Sequence, residues 1–122
     1  MRLSRRLAVT VVAIAAFAAS MGASAHAILV DSSPKANGSV PAGHTTLTLK
    51  YNSKIDQGRS KLVLVEPNHS ETPLVIGSND AKPNELDSEA TLTPGAYVIH
   101  WQALALDGHI TRGDLAFTVT SP

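Results

Sequence analysis

The chain has 122 residues, no cysteine, and ten basic against ten acidic side chains. A chain of this length supports one small domain. The lack of cysteine excludes disulfide scaffolds, thiolate zinc modules, thiol nucleophiles and iron–sulfur clusters. Residues 26–122 contain seven basic and ten acidic side chains, a formal charge of −3. This weak negative charge argues against binding of a nucleic acid.

Residues 1–25 are predicted to be a cleaved secretion signal. They contain three arginines and no acidic residue, and residues 7–19 form a run of 13 mostly apolar residues. This run suits a signal sequence and is shorter than the ~20 residues that a membrane-spanning helix needs. Residues 23–25, Ala-Ser-Ala, supply the small-x-small pattern that signal peptidase recognises. Cleavage at this point makes His26 the amino terminus of an exported domain of residues 26–122.

Alternation of apolar and polar residues predicts seven short β-strands in the exported part, separated by turns rich in Pro, Gly and Asn. The predicted strands are 27–30, 45–51, 60–66, 72–76, 88–92, 96–105 and 114–120. Seven strands in about 100 residues predict an all-β antiparallel sandwich of the immunoglobulin type. Residues 77–87 are the candidate mobile loop. The aromatic side chains expected in its disulfide-free core are Tyr51, Tyr97, Trp101 and Phe117.

A histidine at a free amino terminus is a special metal ligand, because its α-amine and its ring Nδ1 can chelate one ion together. Asp107-Gly108-His109 offers further ligands, since residues two apart in an extended segment point the same way. His26 would supply two nitrogens, His109 one nitrogen and Asp107 one carboxylate oxygen. Such a set in tetragonal geometry favours Cu(II), then Ni(II), over tetrahedral zinc. The hypothesis is therefore one Cu(II) per chain.

Two other interpretations of these residues stay open. Asp-Gly is a common turn signal in β-hairpins, although the eight residues 106–113 between the predicted strands exceed the usual two to five of a hairpin loop. A histidine at the amino terminus can also be an accident of where cleavage falls. The spacing alone does not decide between a ligand set and these alternatives.

The remaining histidines carry weaker signals. His44 and His69 follow turn sequences and are expected in solvated loops, and His100 is expected to face outwards from its strand. Arg112 and Asp114 are expected either to steady the 106–113 loop through charge-assisted hydrogen bonds or to be solvated.

Residues 26–119 resemble the CopC family of periplasmic copper-binding proteins. The matching features are His26 after the signal, the segments 29–34 (LVDSSP), 37–38 (NG), 49–51 (LKY), 92–97 (LTPGAY), 100–103 (HWQA) and 107–109 (DGH), with Pro41, Gly113 and 117–119 (FTV). The resemblance implies a Greek-key β-sandwich that holds Cu(II) through the N-terminal histidine amine and ring, an aspartate and a second histidine. Those roles fall on His26, Asp107 and His109.

Two features of the chain depart from the pattern of some family members. Some members carry a second, methionine-rich Cu(I) site, whereas this chain has no methionine after Met21 and so resembles the branch that binds Cu(II) alone. Some members also place an acidic residue near the Cu(II) site, where residues 52–54 are Asn-Ser-Lys here. A ligand from that segment is therefore not expected.

The resemblance favours a non-enzymatic, monomeric periplasmic protein that sequesters copper or passes it to an inner-membrane transporter of the CopD type. One alternative is an enzyme, because an N-terminal histidine with a second histidine is similar to the histidine brace of copper polysaccharide monooxygenases. A ligand from Asp107 would fill a coordination position that such an enzyme keeps open for oxygen. The other alternative is an immunoglobulin-like interaction module without metal, which would take up no Cu(II).

Overall fold

The computed structural model describes residues 26–122, and the predicted signal segment lies outside the described residues. Eight strands and no helix occur in the described part. The strands are β1 (Leu29–Ser33), β2 (Ser39–Pro41), β3 (Gly43–Tyr51), β4 (Lys61–Val65), β5 (Glu71–Pro73), β6 (Glu85–Leu92), β7 (Gly95–Leu104) and β8 (Ile110–Thr120). Between residues 26 and 122 there is accordingly no helix that could cross a membrane.

The strands form two sheets. One has the order β1-β3-β6 and the other the order β2-β8-β7-β4-β5. The chain changes sheet five times, between β1 and β2, β2 and β3, β3 and β4, β5 and β6, and β6 and β7, so most neighbours in a sheet are not consecutive in the chain. These are the crossovers of a Greek-key sandwich, and the predicted all-β, immunoglobulin-like fold is confirmed.

The structure adds one strand to the seven predicted. Strand β2 pairs in parallel with β8, with Val40 opposite Val119, so one strand pair departs from the antiparallel pattern. It has three residues and ends at Pro41. Such a segment is too short to show the alternation by which strands are identified in a sequence.

The predicted mobile loop, residues 77–87, is held against the sheet. Strand β6 begins at Glu85, and the Gly77 amide donates to the Asp87 carbonyl at 2.9 Å. The Gln57 amide group also donates to the carbonyl oxygens of this segment, at 3.0–3.1 Å. Hydrogen bonds from the Gln57 side chain and between the two ends of the segment therefore attach it to the fold.

The core lies between the two sheets and takes alternate residues from each long strand, as the period of two requires. Its fully buried side chains include Leu47, Leu49, Tyr51, Leu62, Leu86, Ile99 and Leu115. Tyr97 stacks on Phe117 with ring centroids 5.6 Å apart, and Tyr51 meets Trp101 edge to face at 5.3 Å. Three of the four aromatic residues expected in the core are buried, and Trp101 is partly buried against it.

Trp101 packs over the backbone of Gly113, its partner on β8. A Cβ atom at residue 113 would lie 2.5 Å from Cζ2 of the indole, closer than packed carbon atoms come. We expect Gly113→Ala to displace the indole and lower the free energy of unfolding by ~1–3 kcal/mol, as overpacking does. Urea unfolding followed by Trp101 fluorescence measures this change.

Gly77→Ala is the matched control, because a Cβ atom there would have no neighbouring heavy atom within 4 Å. It should leave the free energy of unfolding unchanged or raise it by up to ~1 kcal/mol. Equal losses at the two positions would show that the contact with Trp101 does not determine the choice of glycine.

Candidate metal centre

A tight hairpin between β7 and β8 carries two of the three predicted ligands. Five residues, 105–109, connect the strands. The Ala105 amide donates to the His109 carbonyl at 2.9 Å, and the Gly108 amide donates to the Ala105 carbonyl at 3.0 Å. Gly108 has a φ of 92°, a conformation that glycine adopts without steric cost.

The prediction of an eight-residue loop, 106–113, is therefore wrong. Strand β8 starts at Ile110, where the sequence prediction placed a loop, and Ile110 pairs with Leu104. Residues 111–113, Thr-Arg-Gly, contain no apolar side chain, so this part of the strand does not show the alternation pattern. Asp-Gly is a hairpin turn signal here, and the same turn also presents the candidate ligands, so the two interpretations do not exclude each other.

Asp107 and His109 face each other across the turn. The His109 amide donates to Oδ1 of Asp107 at 3.0 Å, and Nδ1 of His109 lies 3.0 Å from Oδ2 of the same carboxylate. Hydrogen bonds from the backbone and the ring of His109 hold the pKa of Asp107 below its usual value. The carboxylate thus stays ionised, as a metal ligand must be, at a lower pH than an ordinary aspartate.

The N-terminal arm, residues 26–28, brings His26 to this hairpin. The rings of His26 and His109 lie 5.1 Å apart, centroid to centroid, with an angle of 81° between their planes. Three hydrogen bonds hold the arm. Oγ1 of Thr111 donates to the Ala27 carbonyl at 2.7 Å, and Ile28 and Asn52 exchange two bonds at 2.8 and 3.0 Å.

The cluster of His26, Asp107 and His109 is open to solvent. The side chains of His109 and Asp107 are 60% and 42% exposed, and His26 is also exposed. Among residues 26–122, no three His, Asp or Glu side chains are placed so that they could all bind one metal ion. The structure thus brings the three predicted residues together, while Nδ1 of His109 is directed at Asp107. The side chains would have to rotate for all three to bind one ion.

The other histidines lie away from this cluster. His44 is on β3 and not in a loop, with its Nε2 3.7 Å from the carboxylate of Glu89, and it is exposed as expected. His69 has a φ of 68° and is exposed in the turn between β4 and β5. His100 faces outwards, as predicted, with Nδ1 2.5 Å from Oδ1 of Asp114.

Arg112 and Asp114 do not steady the hairpin loop. Arg112 donates from Nε to Oε1 of Gln102 at 2.9 Å, so both charged residues pair with side chains on β7. The residues that bond to the N-terminal arm, Asn52 and Thr111, were missed by sequence reasoning. In the sequence, Asn52 was distinguished only because some family members have an acidic residue in that segment.

Comparisons of sequence place the chain among known proteins. It matches the CopC domain family over residues 29–120. It is 32% identical over 123 aligned positions to copper resistance protein C of Xanthomonas campestris pv. juglandis, an alignment that covers 94% of this chain and 96% of that protein. It is 31% identical over 102 positions to protein YobA of Escherichia coli strain K12, with 78% and 79% covered.

Comparison with solved structures points to the same family. CopC from Methylosinus trichosporium OB3b superposes with a TM-score of 0.72 at 28% identity, covering 79% of this chain and 95% of that one. PcoC from Escherichia coli, described as a methionine-rich copper resistance protein, gives a TM-score of 0.64 at 27% identity, with 79% and 100% covered. The sequence match over most of the chain and the shared fold show that this protein belongs to the CopC family.

Proposed function

We propose that the mature protein binds one Cu(II) ion through the amine and ring of His26, the carboxylate of Asp107 and the ring of His109. The observation that carries this proposal is the contact of the His26 and His109 rings, 5.1 Å apart, across 83 positions of sequence. Asp107 lies beside His109 in the same cluster. Membership of a family that includes copper resistance proteins supports copper as the ion.

The donor atoms favour Cu(II) over other ions. Three nitrogens and one carboxylate oxygen suit the tetragonal preference of Cu(II), and affinity for divalent ions peaks at copper. Cu(I) prefers thioether and thiolate ligands. Residues 26–122 contain neither Met nor Cys, which sets this chain apart from the methionine-rich relative PcoC.

The proposed biological role follows from this chemistry and from the predicted export. We propose a monomeric, non-enzymatic protein of the periplasm that sequesters copper for resistance or delivers it to an inner-membrane transporter of the CopD type. The exposure of the cluster supports transfer, because an ion held at the surface can be passed to another protein directly. Asp107, 3.0 Å from the His109 ring, argues against a monooxygenase, since its carboxylate competes for the position at which oxygen would bind.

Purified mature protein is expected to bind one Cu(II) and to give a tetragonal, nitrogen-rich electron paramagnetic resonance spectrum. Reduction of the bound ion should release it to a moderate Cu(I) chelator, because the soft ligands that Cu(I) requires are missing from the mature chain. Mass spectrometry of the secreted protein, with and without copper, gives the cleavage site and the stoichiometry together.

Three results would contradict the proposal. They are a stoichiometry of zero, a spectrum of oxygen ligands alone, and retention of Cu(I) against the chelator. The first would favour an interaction module without metal, and the last would indicate a second site built from histidines.

A further inference from the structure

The N-terminal arm has no partner strand of its own at the point where it meets the hairpin. Strand β1 begins only at Leu29, so residues 26–28 lie outside the regular ladder. A free arm would leave His26 to sample many positions, and a metal ion would have to order it at an entropic cost. The contacts of the arm therefore determine how much of this entropic cost remains when a metal ion binds to the cluster.

Asn52 extends the pairing of β1 with β3 by one step. Its backbone amide donates to the Ile28 carbonyl at 3.0 Å, and its side-chain Oδ1 accepts the Ile28 amide at 2.8 Å. The side chain thus takes the place of a backbone carbonyl just beyond the last paired residues of the ladder, Leu29 and Tyr51. Both hydrogen-bonding groups of Ile28 are satisfied by this one residue.

Thr111 joins the arm to the strand that carries the second histidine. It lies two residues after His109 on β8, and its Oγ1 donates to the Ala27 carbonyl at 2.7 Å. The side chain of Ala27 is 1% exposed and belongs to the core. The arm is thus fixed at three consecutive points: the buried Ala27 side chain, the Ala27 carbonyl and the Ile28 peptide groups.

We propose that Asn52 and Thr111 are positioning residues that hold the arm so that His26 faces His109 before metal is bound. This inference rests on the proposed Cu(II) function of the cluster. The side-chain hydrogen bonds of Asn52 and Thr111 order the arm during folding, so that copper does not have to order it during binding. Neither residue is a metal ligand in this arrangement, because the oxygen atoms concerned are directed at the backbone of residues 27 and 28.

Asn52→Ala and Thr111→Val each remove one of these bonds. The expected result is a fall in Cu(II) affinity of about two- to tenfold for each change, the effect of one net hydrogen bond. Thr111→Ser keeps the hydroxyl group and should restore most of the affinity. Thr120→Val is the matched control, since Thr120 is on the same strand and its Oγ1 donates at 3.3 Å to the carbonyl of Val40, away from the cluster. It should leave affinity unchanged.

Two readouts separate positioning from a general loss of stability. In a His109→Ala background, Thr111→Val should have little further effect on Cu(II) affinity, because the partner for which His26 is positioned has gone. At saturating Cu(II), the electron paramagnetic resonance spectrum of the Thr111→Val protein should match that of the wild type, because the change affects the ordering of the arm and not the set of ligands. Additive losses of affinity, or a saturated spectrum that matches His109→Ala, would overturn the inference.

A measurement without copper distinguishes failure of this inference from failure of the proposed function. Hydrogen exchange at the Ile28 amide should be faster in Asn52→Ala and Thr111→Val than in the wild type or Thr120→Val, with the midpoint of thermal unfolding little changed. Unchanged protection of that amide would overturn the positioning role whatever the protein binds. The positioning role would also be overturned if the wild type and both variants bound Cu(II) with the same high affinity.

A wild type with no affinity for Cu(II) would instead overturn the proposed function, and the inference with it. Should Thr111→Val fail to fold, Asn52→Ala and Thr111→Ser decide the question.

Discussion

One additional residue before His26 is expected to remove the tight Cu(II) site while leaving the fold intact. The added peptide bond turns the α-amine of His26 into an amide, whose nitrogen binds a metal only after it loses its remaining proton. The chelate formed by the amine and the ring is then broken. His26 is exposed, so the extra residue meets no packing obstacle.

The measurement is thermal unfolding with and without copper. Copper at about 1,000 times its Kd stabilises a protein by ~4 kcal/mol, which corresponds to roughly 15 °C or more for a domain of this size. The mature protein should show this shift, and the protein with Ala25 retained should lose most of it. Their unfolding midpoints without copper should agree.

An extra residue after Pro122, which is exposed at the other end of the chain, is the control for the effect of added length. It should leave the copper-induced shift in place. If the protein extended before His26 binds Cu(II) as tightly as the mature one, the amino terminus is not a ligand. The site would then have to be rebuilt around other histidines.

The sequence predicts those parts of the fold whose residues alternate over a sufficient length. Strands β3, β4, β7 and the second half of β8 each have five or more residues and are half-buried, so their inward residues show the period of two. The misses share a cause. Strand β2 has three residues, and the polar residues at the starts of β6 and β8 gain their strand structure from a partner strand and not from their own pattern.

The candidate site likewise contains residues that the sequence predicts and residues that it does not. Asp107 and His109 are neighbours in sequence, and the predicted cleavage site gives His26 its chemical character, so the three could be named without a structure. Asn52 and Thr111 could not. Their hydrogen bonds join residues 24 and 84 positions apart, and nothing in the local sequence of an Asn or a Thr distinguishes a side chain that binds the backbone of a distant arm from a solvated one.

Substitution of a predicted ligand should lower Cu(II) affinity more than substitution of another histidine. His109→Ala removes a nitrogen ligand, and we expect it to lower Cu(II) affinity by about 100-fold or more, since even the outer partners of metal ligands are worth 10–100-fold. Asp107→Asn should cost less, on the order of tenfold, because the amide oxygen can still accept the His109 backbone bond and offer a neutral ligand. Competition titration against a Cu(II) chelator measures both.

His44→Ala is the matched control for this series. His44 is an exposed histidine beside a carboxylate, with its Nε2 3.7 Å from Glu89, so its loss removes the same kind of side-chain pair as the loss of His109. It lies on β3 rather than on the hairpin, and His69→Ala provides a second control in the turn after β4. Both should leave Cu(II) affinity within about twofold of the wild type, and all four variants should unfold within ~0.5 kcal/mol of it without metal. Equal losses of affinity across the three histidines would mean that copper is bound through scattered surface imidazoles, and the ligand assignment to His26, Asp107 and His109 would be wrong.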